Sequence, residues 1–227
     1  MSRYGMFFNI NKALSLFFRL LYHPFAWTYD FVSWVVSFGR WQSWVNNCLP
    51  YVQGPNILEL GYGPGHLQKS LIDEGYAPIG LDESKQMGHI AHRLLKKNAV
   101  VKTGSKSYDC HLVNGRTEHL PFISAHFHTV VTTFPTQYIF DSVTLGEVKR
   151  VLKPGGKLVV LIAAWIVGDN LIDKGLAYLF KVTGEAPDID SEFNHFLLPF
   201  SSAGFSTEIK WVKTRSSKLL LICASKS

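Results

Sequence analysis

The residues with the clearest chemical potential sit in one short turn. Glu59-Leu60-Gly61-Tyr62-Gly63-Pro64-Gly65 places a glycine at every second position after the apolar run Asn56–Leu60. Glycine lacks a Cβ, so such a turn reaches strained dihedrals and lets a ligand approach the backbone closely. A helix that follows begins with unpaired N–H groups, which suit polar or anionic ligand atoms. Asp82 ends a second apolar run, Ala77–Asp82, twenty-one residues beyond Gly61. An acid there can accept from both hydroxyls of a ribose. Turn and acid together point to an adenosine-containing cofactor bound across the carboxyl ends of adjacent strands.

The spacing narrows the choice of cofactor. A dinucleotide fingerprint reads G-x-G-x-x-G, and His66 stands where its third glycine belongs. The spacing found is G-x-G-x-G, with a carboxylate, Glu59, two residues ahead of the first glycine. That charge would repel a pyrophosphate but suits the ammonium of a methionine-like tail, directly or through water. The residues therefore favour S-adenosylmethionine over NAD.

These groups need a scaffold of alternating strands and helices. After the strand at Asn56–Gly61 comes a helix over 65–74, then the strand Ala77–Asp82 and a helix from Ser84 to Lys97. Further strands are expected at Cys110–Asn114, His128–Thr133 and Lys157–Ala163. A helix over Ser142–Leu152 lies between the last two and is stopped by Lys153-Pro154-Gly155-Gly156. Apolar strands alternating with helices argue for a parallel sheet covered on both faces. Ser206–Thr214 and Lys218–Ala224 are joined too tightly for a crossover, so they form a terminal antiparallel hairpin.

Residues 56–162 resemble a class I S-adenosylmethionine-dependent methyltransferase of the type-11, UbiE-like group. The matching pieces are ILELGYGPG (57–65), GLDESKQM (80–87), EHLPF (118–122) and EVKRVLKPGGKLVVL (147–161). The resemblance implies an α/β, Rossmann-like seven-stranded sheet in the order 3-2-1-4-5-7-6, with strand 7 antiparallel and helices on both faces. It implies that Glu59, Gly61, Tyr62, Gly63 and Gly65 cradle the methionine and ribose, and that Asp82 and Glu83 serve the ribose. Met87, Arg116 and Thr117 then fall at the adenine, and Phe134 and Pro135 at the methyl-transfer mouth. Two positions depart from the family pattern. Arg116 stands where an acid often accepts from the adenine amino group, and an arginine accepts nothing. His128 replaces an acid near the fourth strand. A non-catalytic binder of an S-adenosyl ligand is the alternative these departures motivate, and an NAD-dependent oxidoreductase is the other.

The implied reaction is methyl transfer to a small apolar or aromatic acceptor by in-line displacement. Such a reaction needs alignment and water exclusion more than a base. No catalytic residue is assigned; Tyr29, His23 and Tyr138 are weak candidates. No cluster with metal-ligand spacing appears.

Residues 1–50 carry four of the six tryptophans and seven of the sixteen phenylalanines, with only five charges. Leu14, Phe17, Phe18, Leu21 and Phe25 recur at helical spacing, as do Phe31, Trp34, Val35, Phe38 and Val45. Their uncharged stretches are too short or too broken for a spanning helix, and no signal-peptide pattern fits. Two readings stay open: a helical lid with an aromatic inner wall, or peripheral membrane contact through residues 1–40. The expected organisation is a lid over 1–50 on a methyltransferase domain over 51–227. Within that domain, 164–203 forms a substrate-side helical insertion, and the whole is one compact unit.

A chain of 227 residues with 47% hydrophobic and 18% charged residues excludes disorder and coiled coils. Cys48, Cys110 and Cys223 lie far apart, which argues against a disulfide scaffold and suits a reducing, cytoplasmic setting. The basic run Arg93, Lys96, Lys97, Lys102 and Lys106 has few aromatics between its charges, so it reads as a solvated helix end rather than a nucleic-acid surface. UbiE-like relatives suggest a quinone-, phenol- or lipid-like acceptor.

Overall fold

The computed structural model describes residues 40–103, 111–167 and 197–226. Of the two N-terminal helices expected over 14–45, all but the end around Val45 lies outside them, with His23 and Tyr29, as does most of the 164–203 segment.

Seven strands form one sheet. They are β1 (Ile57–Leu60), β2 (Ile79–Asp82), β3 (His111–Asn114), β4 (Phe127–Thr133), β5 (Leu152–Ile166), β6 (Phe205–Lys213) and β7 (Ser217–Lys226). Their order is β3-β2-β1-β4-β5-β7-β6. The first five run parallel, and β7 runs antiparallel to both of its neighbours. Among the described residues the α-helices are α1 (Trp41–Asn46), α2 (His66–Asp73), α3 (Lys85–Thr103) and α4 (Ser142–Val151). The expected Rossmann-like topology is the one observed.

The strand period of two separates two cores. Leu58, Leu60, Val130, Val160 and Ile222 enter one with Leu145 and Val148 of α4. Ile57, Val131, Val159, Leu161, Leu219 and Leu221 enter the other with Leu67 and Leu71 of α2 and Trp44 and Val45 of α1. Both faces are apolar because each is covered, as parallel sheets require.

Asp141 starts α4 by accepting from the backbone N–H groups of Val143 and Thr144, both at 3.0 Å. Arg150 near its end donates to Glu147 and to the carbonyls of Leu120 and Phe122. Glu147 in turn accepts from the N–H of Leu120 at 2.8 Å. The EHLPF stretch is thus tied to α4 by charge-assisted bonds.

β5 is longer at both ends than the apolar run Lys157–Ala163. Leu152 pairs with Phe127 ahead of an irregularity in β4, so Pro154 and the two glycines lie within the strand. At the other end Ala164, Trp165 and Ile166, assigned from sequence to the start of the insertion, pair with β7 instead. Among the described residues no helix is long and apolar enough to cross a membrane.

Candidate functional site

The glycine turn leaves β1 with Gly61, Gly63 and Gly65 all left-handed, at φ 66°, 51° and 90°. L-residues with a Cβ rarely adopt such angles. The N–H of Gly61 still donates to Leu81 of β2 at 2.7 Å, and the N–H of Gly65 closes a turn onto Tyr62 at 2.9 Å. A Cβ on Gly65 would lie 2.9 Å from that of Ala91, so this glycine lets α3 approach. A Cβ on Gly61 would lie 2.9 Å from the Tyr138 hydroxyl. At Gly63 nothing among the described residues comes within 4 Å of that position. Open space over backbone that only glycine adopts easily is the cradle an adenosyl cofactor would fill.

Asp82 holds the turn to β2. One carboxylate oxygen accepts from the N–H of Gly63 at 2.9 Å, the other from the N–H of Ser84 at 2.8 Å. Burial raises its pKa against the pull of those two bonds. Two of its roughly four lone-pair sites are occupied, which leaves acceptor capacity for ribose hydroxyls.

Glu59 is 1% exposed, and its carboxylate accepts from the Gln68 side chain on α2 at 2.8 Å. Burial holds its pKa well above the ordinary carboxylate value. Gln68 is fully buried, and its carbonyl oxygen has no partner among the described residues. Nothing in the sequence spacing marked Gln68, because its role depends on α2 folding back beneath the turn.

The other sequence-derived residues divide into buried and rim positions. Tyr62 is buried, with its ring against Gly80 and its hydroxyl near Gly88, between β2 and α3. Met87 is fully buried near the start of α3. Glu83 and Arg116 are exposed and face one another at 3.9 Å, with Glu118 at 3.5 Å from the same guanidinium, so they bridge the exits of β2 and β3. The Thr117 hydroxyl turns to Thr144 of α4 at 3.2 Å. Phe134 and Pro135 follow β4 directly, and Phe134 holds φ 49°, a sparsely populated setting for a non-glycine residue. The Tyr138 hydroxyl lies 2.8 Å from Thr132 and 3.4 Å from the carbonyl of Leu60, beside Gly61.

His128 belongs elsewhere. It pairs with the amino end of β1, where its ring accepts from the N–H of Asn56 at 3.3 Å and meets Lys153 at 3.1 Å. That is the end of the sheet opposite the glycine turn, so this departure from the family pattern leaves the cofactor cradle untouched.

Two residues not singled out from sequence as site residues join the site through α1. Trp41 stacks on Phe134 with ring centroids 4.6 Å apart, and Trp44 lies 6.1 Å from the same ring. Gln42 donates to Ser70 of α2 at 2.8 Å, and the Trp44 indole donates to Ser217 of β7 at 2.9 Å. These bonds set α1 beside both the glycine-turn helix and the carboxyl end of β4. Among the described residues no His, Cys, Asp or Glu group could hold a metal ion.

Comparison with known proteins agrees with this geometry. Residues 58–160 match a methyltransferase domain family. The chain is 29% identical over 188 residues to the ubiquinone/menaquinone biosynthesis C-methyltransferase UbiE of Vibrio parahaemolyticus, covering 78% of this chain and 70% of that one. It is 31% identical over 151 residues to the UbiE of a Shewanella species, strain ANA-3, covering 62% and 57%. Across the first three such relatives the chain spans 55% to 70% of their length. Among solved structures, a possible histamine N-methyltransferase from Thermotoga maritima superposes with a TM-score of 0.57 at 17% identity, over 89% of this chain and 98% of that one. The magnesium protoporphyrin IX methyltransferase of Synechocystis with bound SAH gives 0.53 at 18% identity, over 82% and 83%. At such identities the structural matches speak for the fold.

Proposed function

Because the chain belongs to the class I S-adenosylmethionine-dependent methyltransferases, in their UbiE-like group, we propose that it methylates a small aromatic acceptor of the quinone or phenol kind. The observation that carries this reading is the aromatic wall beside the cradle. Phe134 stands at the carboxyl end of β4 in a strained conformation, braced by Trp41 and Trp44 of α1. Strain held by surrounding packing is a common property of functional segments. A flat apolar acceptor gains by offset stacking on such rings, which also exclude water.

When bound, S-adenosylmethionine supplies an already activated methyl group for in-line displacement. In this reading the chain's own residues position and shield. Gly61 and Gly63 offer a backbone that a ligand can approach, and Asp82 offers acceptor capacity to the ribose. The Tyr138 hydroxyl lies at the exit of β1 and is the described side chain best placed to orient an acceptor hydroxyl or carbonyl. The names of the UbiE relatives specify C-methylation in ubiquinone and menaquinone biosynthesis, which supports a quinone-like ring.

Calorimetry with S-adenosylhomocysteine, with NADH as control, tests the cofactor. Binding of the former alone is expected, and binding of NADH alone would overturn the reading. Methyl transfer to a panel of quinones, phenols and lipids then tests the acceptor. Trp41→Ala is expected to lower kcat/KM for the aromatic acceptors about tenfold while leaving the S-adenosylhomocysteine affinity within about twofold, given the usual value of an aromatic pair. Equal activity of the variant would remove the aromatic wall from acceptor recognition.

A further inference from the structure

β5 outruns its parallel neighbour at the carboxyl edge of the sheet. Thr133, the last residue of β4, pairs with Leu161, yet β5 continues to Ile166 before meeting Ser217. Five further residues at about 3.3 Å each carry the β6–β7 hairpin roughly 16 Å past the end of β4. This is the edge that holds the glycine turn and Phe134.

Register decides what the hairpin presents. Trp165 and Lys213 both pair with Lys218, and Trp211 pairs with Leu220 two residues on. Trp165, Trp211, Lys213 and Lys218 therefore share one sheet face. The two indole rings lie 5.6 Å apart, and the Lys218 ammonium sits 3.9 Å over the Trp211 ring. Trp211 is 36% exposed, and Val167, whose N–H donates to Ser216 at the hairpin turn, is 45% exposed. Lys213, Arg215 and Lys218 are exposed beside them. From Ile209 to the last residue the chain carries five cations and no acid.

Cations alone would suit any polyanion. Here an exposed indole and an exposed valine accompany them, and that pairing suits a surface with an apolar phase beneath its charge. Tryptophan settles at headgroup level with its apolar body inward, while lysine and arginine pair with anionic headgroups. We propose that the β6–β7 hairpin docks the protein on anionic lipid bilayers, turning the cofactor edge of the sheet toward the membrane. The proposal stands on the hairpin itself and holds for any class of methyl acceptor.

Co-sedimentation of the full chain with phosphatidylcholine vesicles containing roughly one third phosphatidylglycerol tests it. The protein is expected to pellet with these vesicles, to be released by high salt, and to ignore pure phosphatidylcholine. Reversing the three exposed cations in K213E/R215E/K218E is expected to lower the partition coefficient about a hundredfold. Trp211→Ala should lower it several-fold. Arg215→Gln, a milder change at the turn, should give a smaller loss in the same direction. S-adenosylhomocysteine affinity, measured on each variant, is expected to stay unchanged. Vesicle binding that survives the triple reversal in a protein still binding that ligand would overturn the proposal. So would a wild-type chain that binds an RNA homopolymer but no vesicles. Either failure, with ligand affinity intact, leaves the methyl-transfer reading standing.

Discussion

In the proposed reading Asp82 carries two tasks that a sequence motif cannot separate. Its carboxylate clamps Gly63 and Ser84 through their N–H groups, and it retains lone pairs for a ribose. Asp82→Ala is expected to weaken S-adenosylhomocysteine binding by about 1–3 kcal/mol, the scale of lost charge-assisted bonds. Calorimetry on the variant checks this, and an unchanged affinity would displace the ribose from Asp82. Asp82→Asn separates the two roles, because its amide keeps only one acceptor oxygen. Gly61 is constrained twice, by its left-handed φ and by the Tyr138 hydroxyl where a Cβ would go. Gly63 is constrained by φ alone and is the more open position for a ligand.

At the scale of elements, α4 acts as a clamp on the segment that precedes β4. Arg150 bridges Glu147 to the carbonyls of Leu120 and Phe122, while Glu147 captures the N–H of Leu120. The arginine head is about one-third exposed, which puts its contribution at the lower end for charged bonds. Arg150→Ala is expected to cost about 1–2 kcal/mol, lowering Tm by roughly 2–8 °C for a chain of this size. A thermal melt tests it, and an unchanged Tm would show that the EHLPF segment is held by its apolar contacts alone. α1 is the other decisive element. It is short, yet Gln42 and Trp44 tie it to α2 and β7, which is why Trp41 reaches Phe134.

Across the whole molecule, the buried acids set an unusual pH dependence. Burial raises the pKa of Glu59 and Asp82 in the folded protein. A raised folded pKa means the native state holds protons that the unfolded chain has released. Stability from these groups is therefore complete below the unfolded carboxylate range and is lost as pH rises through the folded values. Glu147 works in the opposite sense, because Arg150 lowers its pKa, but it lies nearer solvent and counts for less. The urea midpoint of the wild-type chain is expected to fall from mildly acid to neutral pH more steeply than that of Glu59→Gln, which cannot ionise. Parallel curves for the two proteins would show that Glu59 does not change its charge in that window.

Much of this molecule was legible in the chain. The glycine spacing, the acid at the end of β2 and the short terminal connection are local properties, and the sheet order follows once their resemblance to a methyltransferase is seen. Backbone permissiveness and strand periodicity act within a few residues, so the glycine turn and the strand positions were readable directly, while the strand order came through the resemblance. The partners of the cradle required the folded protein. Gln68 meets Glu59 and Trp41 meets Phe134 only because separate elements pack together. Chain spacing carries no record of those approaches. The reach of β5 past β4 is of the same kind, since the apolar run continues unbroken through Ile166 and only the pairing with β7 shows that Ala164–Ile166 stay strand. Local conformational preference is written residue by residue, whereas contacts between distant segments are decided by which faces must be buried together.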